Sequence, residues 1–365
     1  MKIAFLGDIA LIGKYDLTKN HKAKERLKEL SEKLSEYDYV VGNLESPLTN
    51  QEKTMVCKSM HLRSSSVNVE LLKYLHIDAV SLANNHLYDF GSKGLEETIK
   101  TLDENGIDWF GANSRHIVKE IRGEKISLSG YCCYSTNGTG YIRRKKSVGI
   151  NPLTIDNVMS QIDKDIDDKA FSVMSFHWGD EHTNYPKYEH IQLAKQIADK
   201  KNVLICGHHP HIIQGVQRIN NSIVAYSLGN FLFDDCTSIT GSFVLKQNSN
   251  NKKSFIFEVE IENNDVVSEK YHGFKDKEDG FVFFDIENEL HQISQPLNEI
   301  DALDKYEEKR KLQISKVMEE KFGNRNFKWL MSRLNYYSLG AYITAKLRRK
   351  RYLKEAEYFL DGSKL

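Results

Sequence analysis

Residues 202–215 read NVLICGHHPHIIQG. The apolar run Val203–Cys206 suits one buried strand, and it runs into Gly207 and three imidazoles, His208, His209 and His211, around Pro210. A core strand has no use for histidines, whereas ligand sites in α/β folds gather at the carboxyl ends of strands. The arrangement recurs four times upstream. KIAFLG runs into Asp8, YDYVVG into Asn43 and Glu45, and DAVSLA into Asn84, Asn85, His86 and Asp89. FSVMSF runs into His177, with Trp178 and Glu181 just beyond. One polar cluster after a strand is an accident; five point to a shared site.

The segments between these strands place apolar residues every third or fourth position, as in NHKAKERLKELSEKLSEY and YPKYEHIQLAKQIADKK. That period predicts amphipathic helices, and strand–helix alternation predicts an α/β fold with a sheet covered by helices. Further on, SIVAYSLGNFLF, SFVLKQ, SFIFEVEIE and DVVSEKYHGF read as consecutive antiparallel strands, with NSNNKK as a hairpin loop. After about Asn298 the chain turns helical and mixed in charge. From Asn324 to Lys354 it carries no acidic residue, while Arg325, Lys328, Arg333, Lys346, Arg348, Arg349, Lys350, Arg351 and Lys354 alternate with Trp and Tyr. Two units are therefore expected, 1–297 and a basic helical extension 298–365.

Composition sets outer limits. The 365 residues are 40% hydrophobic and 28% charged, with a formal net charge of zero, which gives no electrostatic case for specific nucleic-acid binding. No run of 18 apolar residues offers a spanning helix. The opening MKIAFLGDIALIG is interrupted by Asp8 and lacks a small-residue cleavage site, so it reads as a first strand and not a signal peptide. Five cysteines without C-x-x-C spacing fit reduced thiols. A cytoplasmic location is expected, with the basic 324–354 stretch, rich in Trp and Tyr, offering peripheral contact with anionic lipid at the inner membrane.

Each polar residue alone has an ordinary explanation. Asp8 would cap a loop, Glu45 would be a surface charge, Asn84–Asn85 a turn, and His177 a core histidine. Together they form a mixed oxygen and nitrogen donor set that suits Mn, Fe or Zn better than Ca or a thiolate zinc site. In an extended HPH segment side chains alternate, so His209 and His211 are expected on one side and His208 on the other. Glu45 is a candidate bridge between two ions about 4 Å apart, an arrangement that activates hydroxide for displacement at phosphorus or carbon. His86 is placed to protonate a leaving group and Asp89 to orient it. Trp178 reads equally as core or as a stacking wall for substrate, Glu181 as a substrate contact or a solvated charge, and Arg63 as an anion contact or a plain loop residue.

The ordered stretches GDIALIG, GNLESPLT, SLANNHLYDFG, HWGDE, GHHPHIIQG and YSLGNFLFD make the chain a variant that resembles the calcineurin-like metallophosphoesterases. More closely it resembles the bacterial CapA family, linked to poly-γ-glutamate and capsule synthesis. The resemblance covers residues 1–235. It implies a metallophosphatase-like αββα sandwich of mixed sheets with outer helices, and one or two divalent ions. One ion falls to Asp8, Glu45 and His211, the other to Glu45, Asn85, His177 and His209, with His86 as the acid. The expected reaction is attack of a metal-bound hydroxide on a phosphoester, with a phosphorylated substrate or an anionic polymer as partner. Cleavage of an amide such as a γ-glutamyl bond, and a non-catalytic scaffold role in capsule synthesis, stay open. The superfamily's Asp-x-His motif is broken here, since Asp8 is followed by Ile9 and Ala10. That removes an imidazole from the first ion and opens a one-metal site.

Overall fold

The computed structural model describes residues 1–142, 148–241, 244–298, 303–322, 327, 331 and 335–360. Its strands are β1 Lys2–Ile9, β2 Tyr39–Leu44, β3 Ala79–Ser81, β4 Asp108–Phe110, β5 Ile117–Ile121, β6 Glu124–Cys132, β7 Phe171–His177 and β8 Val203–His208. There follow β9 Val216–Ile219, β10 Ser222–Ala225, β11 Asn230–Leu232, β12 Cys236–Thr237, β13 Val244–Leu245, β14 Lys253–Glu262, β15 Asp265–Lys277 and β16 Gly280–Asp285. The helices are α1 Ala23–Arg26, α2 Lys28–Leu34, α3 Val69–Tyr74, α4 Gly91–Glu104, α5 Ile155–Asp167, α6 Tyr188–Lys200, α7 Glu287–Asn298, α8 Leu303–Phe322 and α9 Tyr336–Leu360.

Two mixed sheets carry the fold. An eight-stranded sheet runs β16-β15-β14-β1-β2-β3-β4, with β11 also on β1, and a six-stranded sheet runs β5-β6-β7-β8-β10-β9. They share a core of Ile3, Phe5, Val41, Leu128, Val173, Leu204, Phe255 and Phe257. The outer face of the first sheet packs on α1–α4 through residues such as Leu30, Leu72, Leu95 and Leu102. The outer face of the second packs on α5, α6 and α9 through Ile162, Ile197, Tyr352 and Phe359. The result is the expected αββα sandwich. β1–β4 run parallel, as do β6, β7 and β8. Parallel strands bury both faces, which is why they read as unbroken apolar runs.

Several local expectations give way to tertiary demands. The first long helix is two short ones, because the chain at Leu27 leaves helical geometry (φ −91°, ψ 3°) between α1 and α2. SIVAYSLGNFLF is two strands in different sheets: β10 pairs with β8 and β9, then the chain crosses the sandwich and β11 joins β1. Among the described residues of SFVLKQ, Val244–Leu245 form β13, paired with β12 and not with β14, so NSNNKK does not close a hairpin between β13 and β14. β14, β15 and β16 form the antiparallel run, and β14 completes the other edge of β1.

Described residues beyond 298 pack on the sandwich. Tyr306, Tyr352, Ala356 and Phe359 are buried in the helical layer, and the Tyr306 hydroxyl donates to Pro186 O at 2.8 Å. Arg325, Lys328 and Arg333 of the basic stretch lie outside the described residues. Among the described residues, no helix is long and apolar enough to cross a membrane.

Two glycines make the strand ends compatible. A Cβ on Gly7 would sit 2.1 Å from Gly229 O, so only glycine lets β11 approach β1 beside Asp8. A Cβ on Gly207 would sit 1.9 Å from Tyr226 O and 2.8 Å from the Trp178 indole nitrogen. Both obstacles are fixed, the first being backbone and the second a buried ring. Gly207→Ala is expected to cost about 1–3 kcal/mol by overpacking and to shift the His208–His211 loop. Urea unfolding of the variant beside wild type measures the first effect.

Candidate metal centre

The parallel strands of both sheets end on one side of the sandwich, and the five polar clusters meet there. Asp8, Glu45, Asn85, His177 and His209 are each less than 5% exposed, His86 is 6% and His211 8% exposed. The structure thus brings together six expected ligands and the His86–Asp89 pair from both sheets.

Glu45 lies at the middle. Its Oε1 is 3.7 Å from His211 Nε2 and 3.9 Å from both His86 Nε2 and His177 Nε2. Neither carboxylate oxygen has a hydrogen-bond partner, although both are shut off from solvent. The ligating atoms of Glu45, His209 and His211 all lie within 4.8 Å of one another. These gaps are too long for hydrogen bonds. Two ligands about 2.1 Å from one cation stand roughly 3–3.5 Å apart, so a modest contraction would close the set. An orphaned buried carboxylate ringed by imidazole nitrogens therefore fits a divalent cation. Asn85 Oδ1 faces His177 Nε2 at 2.7 Å, and the Asn85 amide donates to Asn137 Oδ1 at 2.6 Å. The donor atoms assigned to one ion thus already face each other.

Asp8 is engaged differently. Its Oδ1 accepts from Asn43 Nδ2 at 2.8 Å, and its Oδ2 accepts from the His209 backbone N–H at 3.2 Å. His208 Nδ1 and His211 Nδ1 stand 3.2 and 3.3 Å from its oxygens. Burial raises its pKa, but the His208 and His211 interactions outweigh that and hold the carboxyl well below the usual range. Asp8 in this structure fastens the histidine loop from below. That loop is not extended. His209 and His211 have positive φ, +95° and +57°, so strand alternation does not decide where their rings point. His208, expected on the far side, instead brings an imidazole beside Asp8, where the broken Asp-x-His motif lacks one. Asn230, paired across from Asp8 in β11, holds His211 Nδ1 at 2.9 Å.

The His86–Asp89 pair is built on a residue that no motif flagged. His86 Nδ1 lies 2.6 Å from Asp89 Oδ2, which also accepts from the Leu62 N–H at 2.8 Å. Lys58, 2% exposed, donates to Asp89 Oδ1 and to Asn85 O, each at 2.6 Å, and its Nζ is 3.1 Å from His86 Nδ1. A lone lysine in a loop carries no periodicity or spacing signal, so sequence reasoning had nothing to find it with.

The substrate contacts expected at the rim are corrected in part. Trp178 is 1% exposed, stacks on His190 and Tyr226, and donates to Tyr226 O at 3.0 Å. It is core and presents no open stacking face. Arg63 is exposed and donates to Gln51 O at 3.0 Å. Glu181 pairs with His182 at 3.4 Å, and its charge reaches His209, His211 and Glu45.

A family model described as bacterial capsule synthesis protein PGA_cap matches residues 2–235. The chain belongs to that family. All six expected ligands and the His86–Asp89 pair fall inside the PGA_cap match. The PGA biosynthesis protein CapA of Bacillus subtilis is 28% identical over 257 residues, covering 68% of this chain and 67% of the relative. The capsule biosynthesis protein CapA of Bacillus anthracis is 29% identical over 262 residues, covering 68% of this chain and 63% of its own length. Among solved structures, a hypothetical protein from Thermus thermophilus overlaps 76% of this chain and all of its own at TM-score 0.46 and 13% identity. The sulfate thiohydrolase SoxB of the same genus overlaps 76% of this chain and 45% of its own at TM-score 0.39 and 9% identity. Both overlaps are loose, and nothing about the site rests on them.

The centre also sets a pH dependence for chelator-treated protein. Burial, with Lys58 assisting at His86, pushes His86 and His209 down to about 4, and burial pushes His177 well below its ordinary value. Each binds fewer protons folded than unfolded, so their stability is lost as pH falls from 6.5 toward 4. His211 is opposite: burial lowers it, but Glu45 and Asp8 outweigh that and raise it to about 10. Its contribution is full below 6.5 and lost as pH rises toward 10. Urea midpoints of the chelated protein are therefore expected to peak near pH 6.5 and to fall at 4.5 and at 9.

Proposed function

We propose that the chain is a metal-dependent hydrolase of capsule or surface-polymer synthesis, acting on a phosphoester within an anionic or phosphorylated substrate. The observation that carries this reading is Glu45, buried with both oxygens unpartnered among His86, His177 and His211 nitrogens. A divalent cation such as Mn, Fe or Zn, held by Glu45, Asn85, His177, His209 and His211 with Asp8 alongside, supplies Lewis-acid charge and acidifies water when bound.

The chain's own residues do the rest. Asp89 anchors His86 through Nδ1 and leaves Nε2 facing Glu45. With the ring pushed down to about 4, His86 is neutral near pH 7 and offers the centre a lone pair. When the anionic ester binds, His86 Nε2 takes up a proton from solvent, Asp89 stabilises the imidazolium so formed, and Nε2–H gives that same proton to the leaving oxygen. Lys58 fixes Asp89 so that this geometry holds.

Full-length protein purified without chelator, then assayed for metal and for turnover of bis(p-nitrophenyl) phosphate with added Mn, tests the reading. Wild type should carry one or two ions and turn over the ester. His209→Ala with His211→Ala should lose both, whereas His86→Gln should keep the metal and lose roughly 10²–10⁴-fold in kcat. Metal with turnover of a γ-glutamyl amide only would move the reaction to amides. Metal with neither activity would leave a scaffold.

We also propose weak peripheral contact with an anionic membrane surface. On α9 the apolar residues Leu339, Tyr342 and Ile343 are exposed beside Lys346, Arg349 and Lys350. Co-sedimentation with phosphatidylserine vesicles but not with neutral ones is expected, weakened by Leu339→Ser with Ile343→Ser. Equal recovery with both vesicle types removes this part of the reading.

A further inference from the structure

Helix α9 crosses the edge of the metal centre. Its 25 residues span roughly 37 Å. At its start, the Tyr337 hydroxyl donates to Thr54 O at 3.2 Å, and Gly340 lies so close to Cys57 that a Cβ there would be 2.4 Å from the sulfur. At its end, Tyr352, Ala356 and Phe359 are buried against α6. The middle of the helix is held off the sandwich between these two anchors.

Under that middle stretch lies a cavity of about 300 Å³, with Tyr88, Gly138, Thr139, Thr344, Arg348 and Arg351 in its wall. It adjoins the centre. Tyr88 is two residues from His86, a Cβ on Gly138 would stand 3.3 Å from Asn85 Cα, and Asn137 holds the Asn85 amide. Among the described residues, no acidic residue lines the cavity. Arg348 Nε and Thr139 Oγ1 are both shut off from solvent without a hydrogen-bond partner. Among the described residues neither guanidinium has a carboxylate within ion-pair distance; Arg351 lies over the Tyr134 ring at 5.8 Å. Burial pushes the Arg348 pKa below its ordinary value, with Tyr141 and Cys132 acting the other way. Burying a guanidinium without a counter-charge is costly, and its fork of donors matches a carboxylate or phosphate.

We propose that this cavity is an oxyanion subsite, in which Arg348 and Arg351 take a carboxylate or phosphate of the substrate whose reacting group lies at Glu45. The second half of that statement rests on the proposed hydrolase; anion binding itself does not. Arg348 and Arg351 lie past the family match, which ends at residue 235, while Tyr88, Gly138 and Thr139 of the same cavity lie inside it.

Calorimetric titration of full-length, chelator-treated protein tests this without any metal. The probes are inorganic phosphate and γ-linked triglutamate. Wild type should bind one equivalent of at least one probe, and the probe that binds identifies the source of the charge. Arg348→Gln and Arg351→Gln should each weaken binding roughly tenfold or more. Lys350→Gln, on the exposed side of the same helix, and His209→Ala with His211→Ala should bind as wild type. Unfolding midpoints check that the arginine variants are folded, and Arg351→Gln, the more exposed of the two, keeps the test alive if Arg348→Gln does not fold. Equal weakening by Lys350→Gln would mean only a diffuse cationic face. Unaltered binding in both arginine variants, or no binding of either probe by wild type, would overturn the subsite. Intact binding without ester turnover would sink the hydrolase and leave the subsite standing.

Discussion

The Glu45 carboxylate is the constraint on which the site depends. A carboxylate taken from water without hydrogen bonds must meet a compensating charge or take up a proton. Burial raises Glu45 well above the usual carboxyl range, despite the His211 charge that opposes it. Its surroundings fit a cation: imidazole nitrogens nearly in place, positive φ at His209 and His211, and Asp8 bracing the loop they sit on. The cost of that arrangement is borne by the sandwich, whose core is dense on both faces of both sheets.

The sandwich brings the donors together by simple means. Parallel strands end on the same side, so ligands from β1, β2 and β3 share an edge with those from β7 and β8. The crossing of the chain from β10 to β11 then ties the two sheets together beside Asp8. Glycine at positions 7 and 207 permits the close backbone approach on each side. The candidate donors are thus held by closely packed backbone, and the Asn137–Tyr141 loop and α9 border the centre.

The family match ends near residue 235, yet the fold does not. β14 completes the edge of β1, and α9 buries Tyr352 and Phe359 in the outer layer. Helix α9 is also two-sided in charge. Lys346, Arg349 and Lys350 face solvent, while Arg348 turns under the helix. A stretch that reads as uniformly basic is thus divided by the helix's own geometry.

The sequence by itself determined the α/β class and marked the candidate donor residues. Buried parallel strands must be apolar throughout, so a polar cluster directly after each one stands out, and five in order identify a common edge. It could not determine what depends on contacts between distant segments. Lys58 is an isolated loop cation until the fold sets it against Asp89 and Asn85. Trp178 could equally stack a ligand or fill a core until His190 and Tyr226 cover its ring. His208 was expected to face away because strands alternate, but the chain leaves strand geometry immediately after it, and Asp8 waits on its side. Periodicity reports which face of one element is apolar; only tertiary packing decides which charges from different elements end up within 3 Å of one another.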